Sequence, residues 1–129
     1  MKSFLKFQVV IFFIALSLQN VCAQQHPAFW DEIQVFKKQD SLHFSPKHAI
    51  LFVGSSSFTK WTDVQNYFPG YKIINRGFGG SSLPDVIYYA DDIIFRYYPK
   101  QIIIYCGEND LAASDTVTAQ IVYQRFKKL

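Results

Sequence analysis

Residues 49–57 read AILFVGSSS, and this stretch decides the fold. The run Ala49 to Val53 is apolar throughout and too short for a helix. That predicts a buried strand ending at Gly54, with the serines entering a helical turn. Working outward, Tyr71 to Asn75 (YKIIN) follows a Pro69-Gly70 turn and predicts a second strand that runs into Gly77, Gly79 and Gly80. Gln101 to Cys106 (QIIIYC) follows the Pro99-Lys100 break and predicts a third. Between them Leu83, Val86, Ile87, Ala90, Ile93, Ile94 and Tyr97 recur at helical spacing, with Ser82 and Asp85 spaced as a capping box and Pro84 in the first turn. Residues 27–40 predict an opening helix with Phe29, Ile33 and Phe36 on one face, and an amphipathic helix is expected from about Val117 onward. Continuous apolar strands alternating with helices imply a parallel sheet covered on both faces.

Composition narrows the class. A chain of 129 residues allows one domain, and 50% hydrophobic with 18% charged residues argues for a packed core rather than disorder. The formal charge of +3 is mild and the basic residues are scattered along the sequence, so no nucleic-acid partner is expected. Residues 1–23 read as a signal peptide: Lys2 and Lys6 precede the apolar run Val9 to Leu18, and Val21-Cys22-Ala23 supplies a cleavage site before Gln24. Export to the periplasm or the extracellular space is therefore expected. The apolar run falls short of the roughly 20 residues of a membrane span, so no stable span is expected after cleavage. An uncleaved anchor and a lipoprotein signal at Cys22 are the alternatives, but Cys22 lacks a small residue before it. Cleavage leaves Cys106 alone in residues 24–129, which excludes a disulfide framework and suits a small buried hydrophobe.

In parallel sheets of this kind ligands bind beyond the strands' C-terminal ends. Three segments should therefore converge: Gly54 to Ser57, Asn75 to Ser82, and Gly107 to Asp110. A serine opening a helix after a buried strand can present its hydroxyl and its own N–H, as a nucleophile needs, or can simply cap the helix. The P-loop lysine is missing, and G-x-G-G after the second strand is not the dinucleotide fingerprint. A glycine of NRGFGGSS (residues 75–82) could direct its N–H into the site, while Asn75 is expected to brace the loop. Asn109 could donate to an oxyanion or form a turn. Glu108 and Asp110 could pair, but without a histidine beside them no metal site is expected.

Taken together the three segments resemble the SGNH, or GDSL-type, esterase and lipase (acylhydrolase) superfamily, from about Ile50 through Asn109 and more loosely beyond. ILFVGSSSF is similar to the family's first block and NRGFGG to its second, while GEND is similar to the G-x-N-D third block. The resemblance implies a flavodoxin-like three-layer α/β/α sandwich, with residues 24–129 carrying part of it, cut after the third strand and the following helix. It implies Ser56 as nucleophile, with Ser57 a minor rival, and an oxyanion hole built from the N–H groups of Ser56 and Gly80 and the Asn109 amide. It also implies a small acyl ester or acetylated carbohydrate substrate and no cofactor or metal.

Two departures stand out. Ser55 occupies the place of the family's Asp, a bracing residue. No histidine follows Asn109, so the D-x-x-H segment that supplies the general base is not in this chain, and no catalytic Asp or His is assigned. His26, His43 and His48 all precede the nucleophile and are expected away from the active edge. A serine without its base is a poor nucleophile. The alternatives to an ester hydrolase are therefore a non-catalytic protein that binds a carbohydrate or acyl ligand in the same loops, or an inactive fragment.

Overall fold

The computed structural model describes residues 26–129, so the signal-peptide reading of residues 1–23 lies outside the described residues. Helix α1 spans Trp30–Leu42. It starts later than the position of Pro27 suggests because Phe29 is left-handed (φ 63°), a conformation that cannot continue a right-handed helix. Strand β1 is Ile50–Gly54, and all five of its residues are buried. It runs into the short helix α2, Ser56–Lys60, and a 3-10 turn at Val64–Tyr67. Strand β2 (Ile73–Gly77) leads to α3 (Leu83–Tyr88), α4 (Ala90–Ile93) and a second 3-10 turn at Phe95–Tyr97. Strand β3 (Gln101–Tyr105) is followed by α5 (Glu108–Ala112) and α6 (Ala119–Phe126).

The sheet has the order β2-β1-β3, all parallel. Ile50 pairs with Ile73 on one side and Gln101 on the other, and the register holds to Gly54, opposite Gly77 and Tyr105. Side chains alternate across β1. Ala49, Leu51 and Val53 join Ile33, Val86, Ile93 and Tyr97 in one core, against α1, α3 and α4. Ile50 and Phe52 join Phe58 and Val64 in a second core on the opposite face, flanked by Trp61, Phe68 and Ile103. Two cores separated by one sheet make the three-layer α/β/α sandwich that the apolar strands predict.

Three local expectations need correction. Strand β2 lies two residues later than its apolar run, because Gly77 belongs to the strand rather than to the turn. A Cβ on Gly77 would sit 2.7 Å from Phe58 Cβ, so glycine there lets α2 press against the strand. The long helix expected from Leu83 to Tyr97 is broken at Tyr89 and Ile94, whose backbones (φ −98°, ψ 12° and φ −125°, ψ −68°) leave the helical region. Its aromatic and β-branched residues are weak helix formers, and tertiary bonds such as Tyr89 Oη–H to the Ala28 carbonyl (2.7 Å) outweigh them. Finally, β3 is not covered on both faces. It lies at the sheet edge, and none of its five residues is buried.

A buried polar cluster ties α1 to β2 and the second 3-10 turn. Arg76 Nη2 donates to Asp40 Oδ1 (2.7 Å), and Arg76 Nε donates to Tyr97 Oη (2.7 Å). Tyr97 in turn donates to Asp40 Oδ2 (2.5 Å). The guanidinium lies 5.0 Å from the ring centroids of both Phe36 and Tyr97. Every charge is paired and hydrogen-bonded, the condition under which burying charge is tolerated.

Candidate active site

Because the three strands are parallel and in register, Gly54, Gly77 and Tyr105 end side by side, and the segments after them leave from one sheet edge. Hydrogen bonds then lock those segments together. The Phe78 N–H and the Ser81 hydroxyl both donate to the Gly54 carbonyl (3.0 and 3.3 Å), joining the first segment to the second. The Ser55 N–H donates to the Tyr105 carbonyl (3.2 Å) and the Ser55 hydroxyl to Glu108 Oε1, joining the first to the third. Asn109 Nδ2 donates to the Ser81 carbonyl (2.9 Å), and the Leu83 N–H donates to Asp110 Oδ2 (2.8 Å), joining the second to the third. The expected convergence of the three segments is therefore met, through bonds made by Gly54, Ser55, Phe78, Ser81, Glu108, Asn109 and Asp110.

Within this edge the three serines take different positions. Ser55 is fully buried, and its carbonyl accepts the N–H groups of Phe58 and Thr59 (both 3.1 Å), which starts α2. Ser56 is half-buried as the first residue of α2, where a backbone N–H has no carbonyl four residues back to take. Ser57 is exposed on the next position of the turn. Gly80 is exposed with φ 85°, and a Cβ there would meet only Phe29 Cε1, at 3.9 Å. Among the described residues the N–H groups of Ser56 and Gly80 are not spent on backbone carbonyls outside the helices. Asn109 uses one amide hydrogen on Ser81 and keeps a second.

Asn75 does brace its loop. Its Nδ2 donates to the carbonyls of Phe58 (2.7 Å) and Trp61 (3.2 Å), and its Oδ1 accepts the Gly77 N–H (3.0 Å). The third segment is not a loop as expected: Gly107, at φ 124°, caps α5, and Glu108, Asn109 and Asp110 form its first turn. A glycine followed by acids is a helix-start signal that was present in the sequence. The two carboxylates diverge. Exposed Glu108 turns to Ser55, whereas fully buried Asp110 accepts from Arg125 Nη1 on α6 (2.7 Å) as well as from Leu83. Among the described residues no group of three His, Cys, Asp or Glu is disposed to hold a metal ion.

Cys106 is half-buried beside the first core, with its Sγ 3.7 Å from the Ser81 carbonyl. Burial, reinforced by the charges of Asp110 and Glu108, pushes its thiol up to about 12, so it stays protonated and inert at neutral pH. His43 and His48 sit at the approach to β1, at the far end of the sheet, as expected. His26 lies at the opposite end of α1 from His43. It stacks on Trp30 (4.9 Å) at the start of α1, the end of the helix whose Phe29 lies beside Gly80. Among the described residues no hydrogen bond joins any of the three histidines to Ser56.

No family model matches the chain, and no curated protein matches it either. Solved structures do match, among them "The structure of a putative platelet activating factor from Streptococcus pneumonia", with a TM-score of 0.62 at 16% identity. The match covers 76% of this chain but 44% of that one, so this chain spans less than half of that protein's length. At such identity the likeness speaks for the shared α/β fold.

Proposed function

We propose that this chain carries the nucleophile and oxyanion-binding part of an exported serine ester hydrolase of the SGNH type. What supports the reading is the way three segments distant in sequence bring Ser56, Gly80 and Asn109 to one sheet edge, each held by bonds to the other segments. In the reaction the Ser56 hydroxyl oxygen attacks the acyl carbon of an ester as a base takes its proton. The resulting tetrahedral oxyanion is held by the N–H groups of Ser56 and Gly80 and by the free amide hydrogen of Asn109. Collapse expels the alcohol and leaves an acyl-serine, which water cleaves. The platelet activating factor named for the similar structure fits a hydrolase reading of this kind. Small acyl esters, including acetylated carbohydrate, are the proposed substrate class.

No histidine follows Asn109 in this sequence, and among the described residues none is hydrogen-bonded to Ser56. The purified chain is accordingly expected to hydrolyse p-nitrophenyl acetate no faster than Ser56→Ala. Joined to a C-terminal segment bearing D-x-x-H, it should be labelled by a fluorophosphonate at Ser56, located by peptide mass spectrometry. Labelling that survives Ser56→Ala but not Ser57→Ala would move the nucleophile by one residue. Labelling insensitive to both would end the ester-hydrolase reading.

A further inference from the structure

The opposite edge of the sheet carries a feature that the linear sequence hides. Parallel register that aligns the strands' C-terminal ends also aligns their starts, and the entering segments are bonded to one another. The Ile50 N–H donates to the Lys72 carbonyl (2.9 Å), Lys100 N–H to the Ala49 carbonyl (3.1 Å) and His48 N–H to the Tyr98 carbonyl (3.1 Å). Segments 42–48, 68–72 and 94–100 thus form one continuous end of the molecule. They contain Lys47, Lys72, Arg96 and Lys100, with His43 and His48, and no Asp or Glu at all. Asp40, the carboxylate packed against this end, is buried on Arg76 and Tyr97 and lies 3.8 Å from Arg96.

Apolar side chains are interleaved with the cations. Leu42, Phe44, Tyr71 and Tyr98 are between 52% and 69% exposed. Lys47 Nζ lies 5.1 Å from the Tyr98 ring centroid and Lys100 Nζ 5.3 Å from that of Tyr71, while the Arg96 guanidinium is 5.6 Å from that of Phe44. Charge and ring therefore share a single surface. Cations beside exposed aromatic and aliphatic groups match an anionic bilayer surface, where phosphates meet the ammonium groups and rings settle at headgroup depth. A water-soluble polyanion would leave Leu42 and Phe44 without a partner. Among the described residues no helix is long and apolar enough to cross a membrane, so attachment here would be peripheral.

We propose that the edge formed by Lys47, Lys72, Arg96 and Lys100 with Leu42, Phe44, Tyr71 and Tyr98 docks the protein on anionic lipid surfaces. Docked this way, the protein holds Ser56, Gly80 and Asn109 away from the bilayer and open to water. The proposal does not depend on the hydrolase reading, because it uses none of the same residues. The test is co-sedimentation of the full chain with phosphatidylcholine vesicles made with or without phosphatidylglycerol. The readout is the change in that preference between wild type and variants, which share residues 1–25 with Lys2 and Lys6, so the lipid affinity of those residues cancels. Binding should favour the phosphatidylglycerol vesicles and weaken as salt rises. Each exposed lysine should contribute about fivefold, so the triple variant Lys47→Glu, Lys72→Glu, Lys100→Glu, which removes three cations and adds three anions, should lose at least about 100-fold. Leu42→Ser with Phe44→Ser should also weaken binding while keeping the salt dependence. An unchanged urea midpoint establishes that the variants are folded. Absence of a preference for phosphatidylglycerol, or a preference that survives the triple charge reversal, overturns the proposal. Equal binding of wild type and the Leu42→Ser, Phe44→Ser variant to polyphosphate or RNA, with no loss on vesicles, would make the edge a polyanion site instead.

Discussion

Glycine chemistry separates framework from site at the level of single residues. A Cβ on Gly54 would fall 1.9 Å from the Tyr105 carbonyl oxygen, at the last pair of the β1–β3 ladder, where the Ser55 N–H bond to that same carbonyl holds the strands together. Gly54→Ala is therefore expected to cost on the order of 3 kcal/mol, seen as a lower urea midpoint with an unchanged slope. Gly80 has open space around it and needs only its positive φ, so Gly80→Ala should cost about 1 kcal/mol of backbone strain. Near-equal costs for the two would contradict this division. The sequence marks both glycines but not their different reasons, because neither a neighbouring strand's carbonyl nor a φ angle is written in local composition. Ser55 makes the same point. Its position before Ser56 is visible in GSSS, whereas its bond to Glu108, 53 residues away, exists only once β1 and β3 pair.

Among the elements, the Asp40–Arg76–Tyr97 cluster decides how α1 and the second 3-10 turn meet the sheet. Tyr97 is pushed up to about 12, chiefly by burial and further by its bond to Asp40, with Arg76 opposing. A tyrosine whose pKa is higher folded than unfolded stabilises the fold while both states are protonated. That contribution is complete below pH 10 and is lost as pH rises from about 10 to about 12. Tyr97→Phe leaves Asp40 and Arg76 each one bond short, at a cost of about 1 to 3 kcal/mol near neutrality. The gap in stability between wild type and Tyr97→Phe should therefore narrow across that alkaline window in urea titrations. A gap that is constant with pH would show that the hydroxyl does not titrate in this environment. The break of the expected long helix follows from the same packing. Tyr97 makes its bonds to Arg76 and Asp40 from the 3-10 turn that follows the second break, at Ile94.

At the scale of the whole molecule, the sheet order among the described residues leaves β3 paired on one side, with Ile102 41% exposed and Tyr105, Leu111 on α5 and Tyr123 on α6 exposed as well. Exposed apolar strands with free backbone groups template association. Sedimentation velocity should show concentration-dependent self-association, and Ile102→Lys should shift the population toward monomer by placing a charge on that edge. Equal association of the two proteins would assign the contact to another surface. At the same scale, the basic residues that look scattered along the sequence gather at the strand starts, because parallel register superimposes positions some 25 residues apart, Lys47, Lys72 and Lys100.

Local pattern alone determined the alternation of strand and helix, the parallel sheet and the three segments at its C-terminal edge, because burial periodicity and glycine-serine punctuation are short-range signals. Only the tertiary structure decided where those segments bond, which carboxylate serves Ser55, where the long helix breaks and that β3 lies at the sheet edge. Each of these is a contact between residues far apart in the chain, and its energy exists only after the sheet has brought them within hydrogen-bonding or packing distance.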